Sequence, residues 1–170
     1  MGKPLNLPFD PIERAAERWE SEFGPSTPMK VATSIMRVQQ LLLARYDELL
    51  RPYQLTFARY EALVLLRFSR QGELPMRVLG ERLMVHPTSV TNIIARLTRQ
   101  AYVRRRRNPR DGRGVLAVIT PEGRSAADRS TKDLMAAGFG LQAIDSEQCE
   151  EIFAGLRHVR LGAGDFTSPG

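Results

Sequence analysis

From Met29 to Leu50, apolar residues recur at Val31, Ile35, Val38, Leu42, Tyr46 and Leu49. Steps of four and three put them on one stripe of a long amphipathic helix, which ends before Pro52 because a proline pushes its predecessor out of the helical region. Upstream, Pro4, Pro8, Pro11, Pro25 and Pro28 leave room for one short helix over Ile12 to Phe23. Thr56 offers a cap to a further helix carrying Phe57, Tyr60, Val64 and Phe68 on one face, with Gly72 as its stop. Two shorter helices follow, Met76 to Leu83 and Pro87 to Gln100, separated by Met84, Val85 and His86 alone. A helix, a three-residue turn and a second helix is helix-turn-helix spacing, and Pro87 suits a first helical position, where its missing N–H costs nothing. Two strand-like runs come next, Tyr102 to Arg107 and Val115 to Ile119, joined by a hairpin loop from Asn108 to Gly114. Thr120-Pro121 then starts a helix that runs to about Ala137, where Gly138 and Gly140 break it. A last helix from Asp145 or Ser146 is expected to bury Cys149, Ile152, Phe153, Leu156 and Val159.

The expected fold is mainly α with a small β-hairpin, a winged helix-turn-helix flanked by N- and C-terminal dimerisation helices. Within one compact domain, residues 1–50 form the N-terminal segment and long dimerisation helix, 51–120 the winged helix-turn-helix region, and 121–170 the C-terminal dimerisation helices. The terminal helices are not needed to complete the winged unit, and their wide apolar faces call for a partner, so a homodimer is expected. The longest unbroken apolar runs are five residues, Ala62 to Leu66 and Val115 to Ile119. A membrane span needs about 20 apolar residues and a signal peptide about 7–15, so neither is expected. One cysteine cannot make an internal disulfide, which favours a reducing cytoplasm.

Charge sharpens this picture. The chain carries a net +6, but Met76 to Arg113 holds ten Arg against two acids, Glu81 and Asp111; the rest has fifteen bases and seventeen acids. A basic stretch on a slightly acidic body is the footprint of a nucleic-acid site. Val90, Ile94, Leu97 and Ala101 form the apolar face of the second short helix, leaving Thr88, Ser89, Asn92, Arg96 and Arg99 opposite. Such a helix fits the major groove, where Asn pairs bidentately with adenine and Arg with guanine. Small hydroxyl residues at its front suit phosphate or base contacts. Taken alone, this face is equally that of any solvated helix; the wing decides. Seven Arg fall between Arg99 and Arg113 with one carboxylate, Asp111. Arg104 to Arg107 alternate across a strand, so roughly half should face each side. Clustered like charges are costly unless a polyanion neutralises them. Arg110 and Arg113 sit at the hairpin tip, where they can enter a narrow minor groove or grip phosphates, and Asp111 can orient Arg113.

These motifs resemble the multiple antibiotic resistance regulator (MarR) family of bacterial transcription regulators. The likeness is carried by His86-Pro87-Thr88-Ser89-Val90-Thr91-Asn92 with Arg96-Leu97, by the wing Asp111-Gly112-Arg113, and by Val118-Ile119-Thr120-Pro121-Glu122-Gly123. It spans about Met29 to Leu161. The resemblance implies a homodimeric winged-helix protein in which Arg113 enters the minor groove and Asp111 braces it. It also implies that Thr88, Ser89, Thr91, Asn92 and Arg96 lie at or near the recognition surface. Arg107 and Arg110 are further candidate DNA contacts on the wing. The extra helix at Ile12 to Phe23 looks like that of a subgroup answering to urate or other small aromatic effectors.

The expected function is sequence-specific binding of double-stranded DNA at a pseudo-palindromic operator, as a repressor. A small aromatic or anionic effector is expected to loosen it from a pocket between the dimer helices and the helix-turn-helix. Trp19, Arg37 and Glu61 are the candidate contacts, the other reading of Trp19 being dimer packing. The rival classes are an architectural protein that coats DNA and a winged helix used for protein contacts. A face of Asn, Thr and Arg argues against coating alone, and the Arg cluster against a protein partner. No cofactor or metal is expected, since His86, His158 and Cys149 lack ligand spacing. Cys149, on an apolar helical face, reads as a buried structural thiol rather than the peroxide-sensing cysteine of some relatives. Without a nucleophile motif or a phosphate loop, an enzyme is not expected.

Overall fold

Four of the helices start where the chain supplies an acceptor for their unpaired amides. The computed structural model describes residues 5–109, 111 and 114–167. Asp10 caps α1 (Pro11–Phe23) and Asp145 caps α7 (Ser146–Gly162) through a capping box with Gln148. Thr120 accepts from the amide of Gly123 at 3.0 Å to open α6 (Pro121–Ala136), as its Thr-Pro start predicted. Before α5 (Pro87–Arg99) the acceptor is Nδ1 of His86, 3.3 Å from the Thr88 amide. At α3 (Phe57–Phe68) the expected cap is not formed: the Thr56 hydroxyl accepts from Arg59 Nε instead.

The long α2 (Thr27–Leu50) passes into a 3-10 turn over Arg51–Tyr53, which leads into α3. The core gathers beneath it, with Leu50, Leu63, Leu66, Leu79, Ile94, Leu97 and Leu134 fully enclosed. Each such side chain contributes about 1.5–3 kcal/mol by leaving water. Two expected inward residues are corrected. The inner face of α3 is Tyr60, Leu63 and Leu66, while Phe68 is 79% exposed at the end of the helix. The run Ala62 to Leu66 is apolar on every side, so periodicity alone did not fix the phase. Ala101 lies beyond α5 in a left-handed turn (φ 60°) and is exposed, so the buried stripe of α5 stops at Leu97.

The wing has a strand more than expected. β1 (Glu73–Pro75) precedes α4 (Met76–Leu83) and pairs antiparallel with β3 (Val115–Ile119), whose other side pairs with β2 (Val103–Arg107). The order β1-β3-β2 buries β3, with Leu116, Ala117, Val118 and Ile119 all enclosed, and leaves β2 on an edge. A three-residue strand ending in proline carries no alternation to read.

The expected burial of α7 is not met inside one chain. Ile152, Phe153, Leu156 and Val159 are exposed and Cys149 is half-buried, so α7 borders an open cavity beside α2 instead of closing on the core. Among the described residues no helix is long and apolar enough to cross a membrane.

Candidate nucleic-acid interface

The turn between α4 and α5 is tight because Met84 takes a left-handed conformation (φ 50°) and the amide of Val85 returns to the carbonyl of Gly80 at 3.1 Å. Gly80 lets the two helices close up, since a Cβ there would stand 3.2 Å from Val90 Cγ2. Val90, Ile94 and Leu97 lock α5 to the core. With that face fixed, Thr88, Ser89, Thr91, Asn92, Arg96 and Arg99 are all exposed, as the sequence pattern predicts. Two hydroxyls are engaged locally: Thr91 donates to the carbonyl of Pro87 at 3.1 Å, and Thr88 Oγ1 lies 3.1 Å from His86 Nδ1. Asn92 makes no hydrogen bond through its side chain, so its amide faces solvent with both edges available.

Arg96 and Arg99 also border a cleft that the sequence did not reveal. Its wall continues through Asp47, Arg51, Gln54, Thr56, Arg59 and Gln100, from the end of α2 to the start of α3. Arg59 is held there by two hydrogen bonds, Nη1 to the Gln54 carbonyl (2.9 Å) and Nε to Thr56 Oγ1 (3.2 Å). Loss of water, and then the charge of Arg96, lower the pKa of its guanidinium, with Asp47 acting the other way. No signal in the sequence marks this group, because its arginines lie about forty residues apart along the chain.

On the wing, Arg104 to Arg107 are exposed all four, while Val103 at the start of β2 is buried in the core. The expected division between two sides therefore makes no difference to exposure. Arg106 Nη2 reaches both carboxylate oxygens of Glu73 across the sheet, at 2.8 and 2.6 Å. The loop beyond β2 closes through Asn108 N to the Gly114 carbonyl and Gly114 N to the Asp111 carbonyl, both 2.9 Å. The carboxylate of Asp111 folds over Gly114, where an added Cβ would be 2.8 Å from its Oδ2. Arg110 and Arg113 lie outside the described residues, and so does the expected brace between Asp111 and Arg113.

The three effector candidates are not brought together. Glu61 lines an open cavity of about 980 Å³ between α2, α3 and α7, walled by Val38, Leu42, Phe57, Ile144 and Ile152 among others. Loss of water there raises the pKa of its carboxyl. Trp19 stands on α1 against Phe23, ring centroids 5.1 Å apart, and 40% exposed; Arg37 lies on another side of α2. Cys149 is on the cavity wall rather than in the core.

A family model for the MarR family matches residues 53–114, from the turn before α3 to the end of the wing loop. The solved structure of Sco5413, a MarR family transcriptional regulator from Streptomyces coelicolor, is 58% identical, with a TM-score of 0.78. The match covers 84% of this chain and 99% of that one. The chain belongs to the MarR family. The MarR-family regulator Sco3205 of the same organism, solved in complex with DNA, is 26% identical over 81% of this chain and 90% of its own, with a TM-score of 0.72. The HTH-type transcriptional regulator SarZ of Staphylococcus aureus is 25% identical over 117 residues, 69% of this chain and 77% of that protein. For this MarR-family chain the matched span holds α5 and the arginine wing, the two features its sequence singles out.

Proposed function

We propose that this protein is a sequence-specific transcriptional repressor that binds a pseudo-palindromic operator as a homodimer in the cytoplasm. The observation that carries the reading is the exposed polar face of α5 beside an arginine-rich edge strand, in a chain of the MarR family. Thr88, Ser89, Thr91 and Asn92 meet the major groove, with Asn92 reading an adenine, and Arg96 and Arg99 contact the DNA from the same helix. Arg107, Arg110 and Arg113 follow the backbone into the minor groove, with Asp111 steadying Arg113. That the relative Sco3205 is solved in complex with DNA supports DNA binding.

Residues 51–120 supply DNA binding, while 1–50 and 121–170 dimerise. The support is the row of exposed Val31, Ile35, Val38 and Leu41 on α2, with Ile152, Phe153 and Val159 exposed on α7. A single chain has no other use for so much apolar surface. Two-fold symmetry then places half-sites about 10 bp apart, or a multiple of that. An effector that enters the cavity beside Glu61 shifts the spacing of the two recognition helices and releases the operator. Its apolar walls and one carboxylate suit the aromatic ligand of the two expected kinds better than the anionic one.

Selection of bound duplexes from random DNA tests the reading. One recurrent two-fold sequence is expected, and Asn92→Ala then costs about 1–3 kcal/mol on that site and little on scrambled DNA. Equal losses on both would favour a coating protein.

A further inference from the structure

We propose that the cleft between α3 and the end of α5 is a phosphate seat for the DNA backbone, in which Arg51, Arg59, Arg96 and Arg99 clamp one strand. Arg96 and Arg99 thereby position the protein and carry no base specificity. The inference rests on the DNA-binding reading and adds to it a second point of contact.

Four guanidiniums and one carboxylate, Asp47, border a cleft of about 620 Å³. Among the described residues none of the four is within ion-pairing distance of a carboxylate, whereas Arg45, Arg67, Arg77, Arg106 and Arg160 are. The protein therefore gathers positive charge here and leaves it unneutralised, a costly arrangement that an incoming anion reverses. Arg59 is already oriented: its Nε and Nη1 are bonded to Thr56 and to the Gln54 carbonyl, which leaves Nη2 for a ligand. The Gln54 carbonyl is itself steadied by Gln100 Nε2 at 2.8 Å. A donor held in place loses little freedom on binding. Planar guanidiniums converging from two elements match the oxygens of a phosphate diester. The source is DNA because two of the four stand on α5 itself, on the face that carries Asn92. With that face in the major groove, the flanking strand passes the mouth of the cleft.

The test is fluorescence anisotropy on the selected operator and on a scrambled duplex, across a salt series. Arg51 is exposed and makes no side-chain hydrogen bond, so Arg51→Ala spares the fold. It is expected to weaken both duplexes on the order of tenfold and to lower the slope of log K against log salt by about 0.9. Arg96→Ala is expected to do the same, leaving the operator-to-scrambled ratio unchanged, whereas Asn92→Ala collapses that ratio. Asp47→Asn, which removes the cleft's one negative charge, is expected to tighten both. Wild-type binding with Arg51→Ala and Asp47→Asn unchanged on both duplexes would overturn the clamp and leave the DNA reading intact. Loss of discrimination in Arg96→Ala would return that residue to base reading and overturn its part. Calorimetric titration with inorganic phosphate separates the other source. Saturation at millimolar phosphate that Arg51→Ala abolishes, with DNA affinity unaltered, would assign the cleft to a free anion and overturn the backbone assignment. Failure of the wild type to bind any duplex would remove both readings together.

Discussion

Replacing Gly123 by alanine is expected to loosen the joint that holds the wing to the recognition helix. Gly123 sits in the first turn of α6, and a Cβ there would lie 2.1 Å from the carbonyl oxygen of Tyr102 and 3.0 Å from Ile119 Cγ1. The first contact falls about 1.3 Å short of ordinary van der Waals separation, and the obstacle is backbone, which cannot swing aside. That carbonyl is fixed: it accepts from the Thr120 amide at 3.0 Å, with the Thr120 hydroxyl at 3.1 Å. Tyr102 links α5 to β2, so moving its carbonyl moves β2 against α5. Overpacking of this kind costs about 1–3 kcal/mol, and two weakened hydrogen bonds add about 1 kcal/mol each. Alanine's better helix propensity returns about 0.5–1 kcal/mol. The net expectation is a loss of about 2–4 kcal/mol. Urea unfolding at fixed protein concentration measures it, because dimerisation makes the midpoint concentration-dependent. Operator affinity in dilute buffer should fall as well, through the displaced wing. A Gly123→Ala protein within 1 kcal/mol of the parent, binding DNA normally, would refute the rigidity assigned to this joint.

Three further outcomes are expected. Glu61 holds its proton to higher pH when folded than when unfolded, so its penalty to stability is absent below about pH 4 and grows as pH rises through the raised pKa. Glu61→Gln should therefore raise the urea midpoint at pH 7 and lose that advantage near pH 4; equal gains at both would mean desolvation is not the cause. Glu73→Gln releases Arg106 from its cross-sheet pair, and titration with random duplex should show tighter binding and a steeper salt slope, with stability changed by less than about 1 kcal/mol. Ile152→Asp, on the exposed face of α7, should shift sedimentation equilibrium from dimer towards monomer; an unchanged dimer would place the interface elsewhere.

The sequence by itself determined the elements whose periodicity is unambiguous. The Val90-Ile94-Leu97 stripe, the Pro87 start and the Thr120-Pro121 restart each express a local rule, and α5 and α6 occur within a residue of where those rules put them. The polar face of α5 was legible for the same reason: once three apolar positions are buried, the opposite side of a helix must face out. Tertiary structure decided what depends on neighbours far along the chain. Phe68 is exposed because the core took Tyr60, Leu63 and Leu66 from α3, a phase that the all-apolar run Ala62 to Leu66 leaves open. β1 exists because β3 offers it hydrogen bonds, not because Glu73-Leu74-Pro75 favours a strand. The cleft joins Arg51 and Arg59 to Arg96 and Arg99, a juxtaposition that no spacing encodes. Local hydrogen bonding and amphipathic period are short-range properties that a sequence carries openly. Which charges meet is a long-range one, set only when the chain closes on its core.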